Sequence, residues 1–377
     1  MSGRLALRRG VVVSAEPLLV EIEGERRPAW ADTALLGEMR EGDEVVVNVA
    51  AVELGLGSGG FDVVHVNLTR GLDAAPEGDA HVIKLNYTSL QHPVDPVERE
   101  LGCLIPPRRG KGPTTPASGT MPTLVLPLHG HLAPAAWAAA QASPGLRVGY
   151  VQTGGGAVPG SLSRDVAVLR ERGLLCGHVT AAPAYGGEHE ALSTAGALDA
   201  AATDLVWDAA IVGPGPGIIG SDTALGHGGM AALDSAHAAL ALALPTLISP
   251  RLSSGDPRER HRGVSHHTLT VLELLLAPVR IPIPAGGVAD DVTASGGTEA
   301  DAAPALLKET TKTLRSAAGS RHHLTEAPAD SVAYTASGLP TTTMGRTIEQ
   351  DRLFFAAPLA AGNALAAAAT GGAGGGG

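Results

Sequence analysis

From Thr123 onward the chain repeats one texture, a short apolar run followed by a stretch with helical spacing. The runs are Thr123 to Leu128, Arg147 to Gln152, Gly177 to Ala181, Trp207 to Gly213, Pro245 to Ser249 and Val279 to Ile283. They lack period-2 alternation, which is how strands read when both of their faces are covered. Between them, Ser161 to Arg172 carries Leu162, Val166 and Leu169 on one helical face and ends at Gly173, and His189 to Thr203 and Gly229 to Leu244 read as Ala-rich helices. Strand-helix alternation of this kind predicts an α/β fold with a doubly wound, mostly parallel, Rossmann-like sheet. Further on, the pattern predicts a helix at Ala302 to Ala317, a short strand at Val332 to Ala336, and an Ala-rich helix ending at Ala369.

The first part of the chain reads differently. Gly10 to Ser14, Leu18 to Ile22, Glu44 to Val49 and Asp62 to Asn67 are short β-rich runs separated by turn residues, and Val45, Val47 and Val49 alternate as in a half-buried strand. A small N-terminal β-barrel is the expectation. The glycine-rich stretch Val52 to Gly60 reads as a barrel corner, with Glu53 a weak site candidate, and His81 to Tyr87 as a further strand. The expected division is a β-rich domain at 1–105, a Pro/Gly/Ser/Thr linker at 106–122, the α/β domain at 123–369 and a disordered Gly-rich tail at 370–377.

Composition bounds the function. With 44% hydrophobic and 17% charged residues the chain is globular, and with 3% aromatic residues its core must be built from Ala, Val and Leu. A net charge of −11 repels nucleic acid and anionic membranes, so neither is expected as a partner. The longest apolar run, Ala238 to Ile248, contains Pro245 and falls short of a bilayer span. Cys103 and Cys176 supply neither a disulfide framework nor a CxxC metal pair, which points to a reduced, cytoplasmic setting.

Against this background one stretch stands out. Ser249 to Thr268, SPRLSSGDPRERHRGVSHHT, holds Arg251, Asp256, Arg258, Glu259, Arg260, His261, Arg262, His266 and His267. Such a density of charge and imidazole is costly to bury and unnecessary for folding, so it reads as a site. Arg251, Arg258, Arg260 and Arg262 offer planar forks for carboxylate or phosphate, unless Asp256 and Glu259 occupy them. His266 and His267 follow Ser265, a good N-cap, and their imidazoles suit proton transfer near neutral pH.

In open α/β sheets ligands bind beyond the carboxyl ends of the strands, and other unusual residues have that expected address. His129 and His131 follow the first run. Thr153, Gly154, Gly155 and Gly156 follow the second, as a turn able to present backbone N–H groups to an anion or merely to join strand to helix. Glu188 and His189 follow the third, as an acid/base pair or as dipole partners of a helix. Gly213 to Gly220, then Ser221, Asp222 and His227, follow the fourth. Gly215, Gly217 and Gly220 formally match GxGxxG, but Pro214 and Pro216 remove N–H groups a pyrophosphate would need. His129 and His131 have a spacing usable by a metal, with His261, His266, His267, Asp222 or Asp256 as further ligands. No HExxH or cysteine cluster supports this, so no residue is assigned to a metal and the cofactor stays unknown. The absence of a GxSxG elbow disfavours a covalent hydrolase.

VELGLGSGG (Val52 to Gly60), TGGGAVPGSLSR (Thr153 to Arg164), VGPGPGIIGSDTALGHGG (Val212 to Gly229), DPRERHRGVSHHT (Asp256 to Thr268) and TTMGR (Thr342 to Arg346) together resemble a family of bacterial proteins known only as a domain of unknown function. The resemblance runs from about Arg4 to Gly362. It implies one evolutionary unit with a β-barrel and a Rossmann-like body, and it brings no activity with it.

The sequence therefore points to a cytoplasmic hydrolase or group transferase acting on a small anionic, phosphorylated or nucleotide-like, molecule. His129, Glu188, His189, His266 and His267 are the candidate proton movers. Thr153, Gly154, Gly155, Gly156, Asp222, Arg251, Asp256, Arg258, Arg260 and Arg262 are the candidate substrate contacts. The alternative is a non-catalytic metabolite sensor or an interaction protein, with the Arg/His loop as a homo-oligomer contact.

Overall fold

A computed structural model describes residues 3–56, 59–72, 80–99, 121–221, 223–285 and 302–371. The chain divides into two compact units, Met1–Asp95 and Pro96–Gly377. The division comes earlier than the expected 105. Its cause lies in the second unit, where Pro96 bridges to Glu190 and Glu98 accepts hydrogen bonds from the backbone N–H groups of Leu192 (2.9 Å) and Ser193 (3.1 Å). Most of the expected linker and of the glycine tail lies outside the described residues.

The first unit is a closed barrel of β1 (Leu7–Ala15), β2 (Leu18–Ile22), β3 (Glu25–Trp30), β4 (Glu44–Asn48) and β5 (Asp62–Asn67), in the order β1-β2-β3-β5-β4. Val12, Val20, Ile22, Val45, Val47, Val49 and Val64 fill it, as the alternation requires. β3 was not expected, because Glu25, Arg26 and Arg27 give it no apolar run. Two single turns, α1 (Thr33–Leu36) and α2 (Ala50–Glu53), interrupt the barrel. Glu53 faces Arg8 (3.5 Å) and Arg27 (3.9 Å), so it is a partner in barrel ion pairs rather than a site residue. The predicted strand around His81 shrinks to β6 (Val82–Lys84), paired only with β7 (His92–Val94).

The second unit is built on an eight-stranded, all-parallel sheet: β8 (Thr123–Val125), β9 (Val148–Thr153), β10 (His178–Ala181), β11 (His189–Ala191), β12 (Ala209–Pro214), β13 (Thr246–Ile248), β16 (Arg280–Pro284) and β17 (His323–Ala327). Their order is β11-β10-β9-β12-β8-β13-β16-β17. Between β13 and β16 lies a short antiparallel pair, β14 (Leu252–Ser253) with β15 (Gly263–Val264). Alternate residues supply the two faces. Leu124, Tyr150, Ile211 and Leu247 pack under α3 (Leu132–Ala142), α4 (Arg164–Glu171) and the C-terminal helix Arg352–Gly371. Val125, Val151, Val212 and Ile248 pack under α5 (Thr194–Thr203), α6 (Ala231–Ala241), α7 (His266–Leu274) and the helix Ala302–Ala318. This is the doubly wound arrangement the unbroken apolar runs predict.

Three local expectations fail for identifiable reasons. The predicted helix from His189 begins with β11, whose His189, Glu190 and Ala191 pair with Val179, Thr180 and Ala181, and Ser193 caps the helix proper. Val332 to Ala336, read as a strand, is a helix Ser331–Ala336, since the Asp330 side chain accepts from the Ala333 N–H at 2.8 Å. β17 was missed because HLTEA has no apolar run. The helix Arg352–Gly371 is long and apolar enough to cross a membrane by length and composition, but 67% of that stretch is buried in the body. Gly362 explains the close fit: a Cβ there would lie 2.1 Å from the Ala135 carbonyl oxygen of α3.

Candidate functional site

The chain leaves β13 and enters the charged stretch through the β14/β15 pair, which folds it back on itself. Gly263, at φ +68°, makes the return, the Ser265 N–H donates to the Arg251 carbonyl at 3.0 Å, and the Arg251 N–H donates to Thr268 Oγ1 at 2.8 Å. Ser265 then caps α7, as its sequence position predicts, and puts His266 and His267 on the first helical turn. From β12, on the other side of β8, a loop doubles back, Gly220 bridging to His227, and delivers a third ring. Both strands end centrally in the sheet, so the histidines meet beyond its carboxyl edge.

The rings of His227 and His267 are stacked, with 3.6 Å between centroids, while His266 stands at 4.4 Å from His267 and 5.4 Å from His227. His261 completes the group at 4.9 Å from His267 and 5.0 Å from His266. His227 Nε2–H donates to the Ala224 carbonyl at 2.9 Å, which leaves Nδ1 as a bare lone pair, and that atom is buried without a partner. His266 Nε2 is likewise buried without a partner. His267 Nδ1 accepts from Arg251 Nη1 at 3.2 Å, and His261 Nδ1 lies 2.8 Å from Ser265 Oγ.

Burial, reinforced by nearby positive charge, keeps these imidazoles neutral. It pushes His267 down to about 2, with the neighbouring His227 and Arg251 adding to the effect, and His261 down to about 3, with Arg251 and Arg258 adding. His227 and His266 are lowered by the same burial. At neutral pH the cluster offers unprotonated nitrogen lone pairs, free to bind an ion, and the depression that keeps them neutral makes His261 and His267 weak bases as well as unable to donate a proton.

Beside it lies a charge network the sequence shows only in part. Asp256, buried, accepts from Arg258 Nε at 2.9 Å and Nη2 at 2.8 Å, and meets Arg251 Nη2 at 3.6 Å and Arg346 Nη2 at 3.5 Å. Burial alone would raise its carboxyl, but the bonds from Arg258 and the charges of Arg258 and Arg346 hold it at about 2. Asp351, fully buried, binds Arg346 Nε at 3.0 Å, Ser253 Oγ at 2.6 Å and the Ser254 N–H at 2.7 Å. Arg346 and Asp351 were not singled out, since nothing in sequence ties them to a stretch some 90 residues away. Arg251 is 2% exposed, its Nε is buried without a partner, and burial, with Arg258 beside it, lowers its pKa to about 10.

A crevice of about 490 Å³ opens next to His227 at the ends of β9, β10 and β12, lined by Thr153, Gly154, Gly155, Pro183 and Gly228 among others. The predicted glycine turn therefore shares this crevice with His227. Its glycines also have a plain packing role. A Cβ on Gly155 would lie 2.4 Å from the Gly228 carbonyl oxygen and one on Gly156 2.1 Å from that of Gly215, so three loops approach backbone to backbone. The GxGxxG match opens no helix, since α6 begins only at Ala231 after a single 3₁₀ turn, and a dinucleotide fingerprint is absent from it.

The other candidates do not join the cluster. His129 is buried, with Nδ1 donating to the Pro214 carbonyl at 3.2 Å and Nε2 2.8 Å from Ser163 Oγ, the cap of α4. His131 diverges from it, placing Nδ1 2.9 Å from Ser249 Oγ and its ring edge-on to Phe354. These two cannot share a metal. Glu188 and His189 stand at the start of β11, level with Val179 and hence at the amino edge of the sheet, where Glu188 Oε2 pairs with Arg170 Nη2 at 2.8 Å. Arg258 is half exposed, Arg260 and Arg262 are exposed on the rim, and Asp222 lies outside the described residues.

A closed barrel followed by a doubly wound parallel sheet, with a histidine and arginine centre beyond its carboxyl edge, defines the class of protein: an α/β protein with a built polar site and no familiar catalytic motif. Residues 28–362 match a family described as a protein of unknown function (DUF3866), and the chain belongs to that family. No curated protein and no solved structure matches it.

Proposed function

We propose that this protein is a cytoplasmic enzyme, a hydrolase or group transferase, acting on a small anionic substrate of the phosphorylated or nucleotide-like kind. The observation that carries the reading is Arg251, a guanidinium 2% exposed whose Nε is buried without a hydrogen-bond partner, beside imidazoles that burial keeps neutral. A buried donor of this kind is stable when it is matched, and an anionic oxygen seated there would match it. The cytoplasmic assignment rests on the low cysteine content alone.

In this reading Arg251 and Arg258 hold the anionic group, and the glycine turn at Thr153 to Gly155 adds N–H donors from the crevice. The oxygen of water or of an acceptor hydroxyl forms the new bond to the transferred group. Its proton passes to the unpartnered Nε2 of His266, and the leaving oxygen departs with the electrons of the broken bond.

Release of inorganic phosphate from a panel of phosphomonoesters, phosphodiesters and nucleotides tests this, alongside thermal melts with the same compounds. His266→Ala is expected to lower kcat by about 10²- to 10⁴-fold while leaving the phosphate-induced melting shift in place. Stabilisation by phosphate without turnover of any compound would move the protein to the sensor class, and neither effect would remove the reading altogether.

A further inference from the structure

The second feature of the centre concerns its lone pairs rather than its charges. One nitrogen from each of His227, His266 and His267 lies within 4.8 Å of the others. A tetrahedral zinc ion with bonds of about 2.0 to 2.1 Å needs its nitrogen ligands roughly 3.4 Å apart, so the rings must move inward, and His227 and His267, stacked 6° from parallel, must also turn before their in-plane lone pairs converge on one ion. Two of the three carry a buried nitrogen with no hydrogen-bond partner, Nδ1 of His227 and Nε2 of His266. Native interiors seldom leave such atoms unmatched.

Two further contacts suit an ion between the rings. His227 fixes its tautomer by donating Nε2–H to the Ala224 carbonyl at 2.9 Å, the outer bond by which a metal-binding imidazole is oriented. The space between the rings is kept open by Gly229, where a Cβ would lie 2.9 Å from His227 Nδ1 and 3.1 Å from His267 Nδ1. Any other residue at 229 would crowd the gap that these two nitrogens border. His267 Nδ1 meanwhile accepts from Arg251 Nη1 at 3.2 Å, and the same guanidinium lies 3.6 Å from Asp256.

We propose that His227, His266 and His267 form a zinc site, three imidazoles with the fourth position left to water or substrate. The inference deepens the enzyme reading of this centre and rests on it for the ion's role, while the presence of the ion is read from separate atoms. All-nitrogen sets of three histidines suit zinc, and three protein ligands with one open position is the arrangement of catalytic rather than structural zinc. Ligation through His267 Nδ1 takes that atom from Arg251, whose guanidinium is then released toward the anion. A zinc ion held there would lower the pKa of a bound water and so supply the nucleophile, with the three imidazoles as its ligands and not as the base.

Tag-free full-length protein, stripped with chelator and dialysed against zinc chloride, is expected to retain one equivalent of zinc by elemental analysis. Cobalt(II) in its place is expected to give the intense visible bands of tetrahedral coordination. His227→Ala, His266→Ala and His267→Ala each lower zinc affinity by more than the roughly 10- to 100-fold that loss of an outer partner costs, whereas His237→Ala does not. Gly229→Ala, which keeps every ligand and fills the gap, removes the tetrahedral cobalt bands. Circular dichroism melts of each variant separate lost binding from lost folding. Zinc content below a tenth of an equivalent in folded wild-type protein, or affinity unchanged in folded His227→Ala and Gly229→Ala, would overturn the site. Turnover that is insensitive to chelator sinks the zinc and spares the enzyme, and stoichiometric zinc with no turnover does the reverse.

Discussion

His227 and His267 lie face to face, 3.6 Å between ring centroids and 6° from parallel, although they come from different strand ends. Two imidazoles stacked this closely cannot both be charged, and Gly229 is the residue that lets them sit so. Gly229→Ala tests the fit from the stability side. Overpacking a dense site costs about 1 to 3 kcal/mol, and here the Cβ meets rings that can turn, so the lower half of that range is expected in urea melts. A loss near zero would mean that the gap is wider than the ring positions indicate.

The Arg251 network makes an ordered prediction. Asp256→Ala removes the buried carboxylate that Arg251, Arg258 and Arg346 share, which should cost about 3 to 5 kcal/mol. Arg258→Ala removes a side chain that is 44% exposed and should cost no more than about 1 kcal/mol. Chemical denaturation of the two variants checks the order. Equal losses would show that Asp256 is not the hub. Inorganic phosphate should recover nothing in Asp256→Ala if the anion sits on the arginines only when they are correctly held.

How much of this was legible follows from where each signal lives. β2 at Leu18–Ile22 and β5 at Asp62–Asn67 have the predicted bounds, because a barrel strand's inward valines write themselves into the sequence. β3 and β17 do not, since Arg27 and Glu326 belong to strands held by their neighbours' hydrogen bonds rather than by their own apolar faces. The Arg/His stretch stood out in the sequence because charge is unusual there, and the structure brings its Arg251, Asp256, His261, His266 and His267 together. His227 and Arg346 lay in quoted motifs but unassigned, and Asp351 in none, because pairing across the fold leaves no local trace. Glu188 and His189 show the cost of one missed strand: once β11 is a strand, its first residues belong to the opposite edge of the sheet.

His178 is one of several buried histidines that make stability fall in acid, and it lies away from the cluster. Burial against the stacked ring of Tyr150 pushes its pKa down to about 4, from an ordinary value near 6.5. The unfolded chain therefore binds a proton that the folded one refuses between those two values. Stability from this group is complete above pH 6.5 and is lost as pH falls toward 4, on the order of 3 kcal/mol at the lower limit. In His178→Gln, which can keep the bond to Gln152 Oε1, the slope of stability against pH over this window should fall by about one proton. An unchanged slope would place the titration elsewhere.

The C-terminal helix makes the sharpest packing test. The carbonyl of Ala135 occupies the place a side chain at 362 would need, and neither α3 nor Arg352–Gly371 can retreat without opening the face built on Phe354, Leu359 and Leu365. Gly362→Val should cost about 3 kcal/mol or more, where a surface glycine such as Gly145 tolerates replacement by asparagine, which accepts its φ of +88°. Thermal melts of the pair decide it, and comparable losses would show that the two helices slide freely.

His129 and His266 separate a structural histidine from a working one. His129 spends one nitrogen on the Pro214 carbonyl and the other on Ser163, and it is buried, so no substrate atom can reach it. His266 keeps Nε2 without a partner and shows part of its ring to solvent. Replacing His129 by Gln should therefore lower the melting temperature, through the lost ties between the ends of β8, β12 and α4, and leave turnover per folded molecule within about threefold of wild type. Replacing His266 by Ala should do the opposite. The comparison needs kcat and melting temperature on both variants, with active protein counted by its folded fraction. If His129→Gln were instead folded and inactive, the proton-moving group would have to be sought at the buried His129–Ser163 pair, and the crevice at Thr153 would lose its connection to the chemistry.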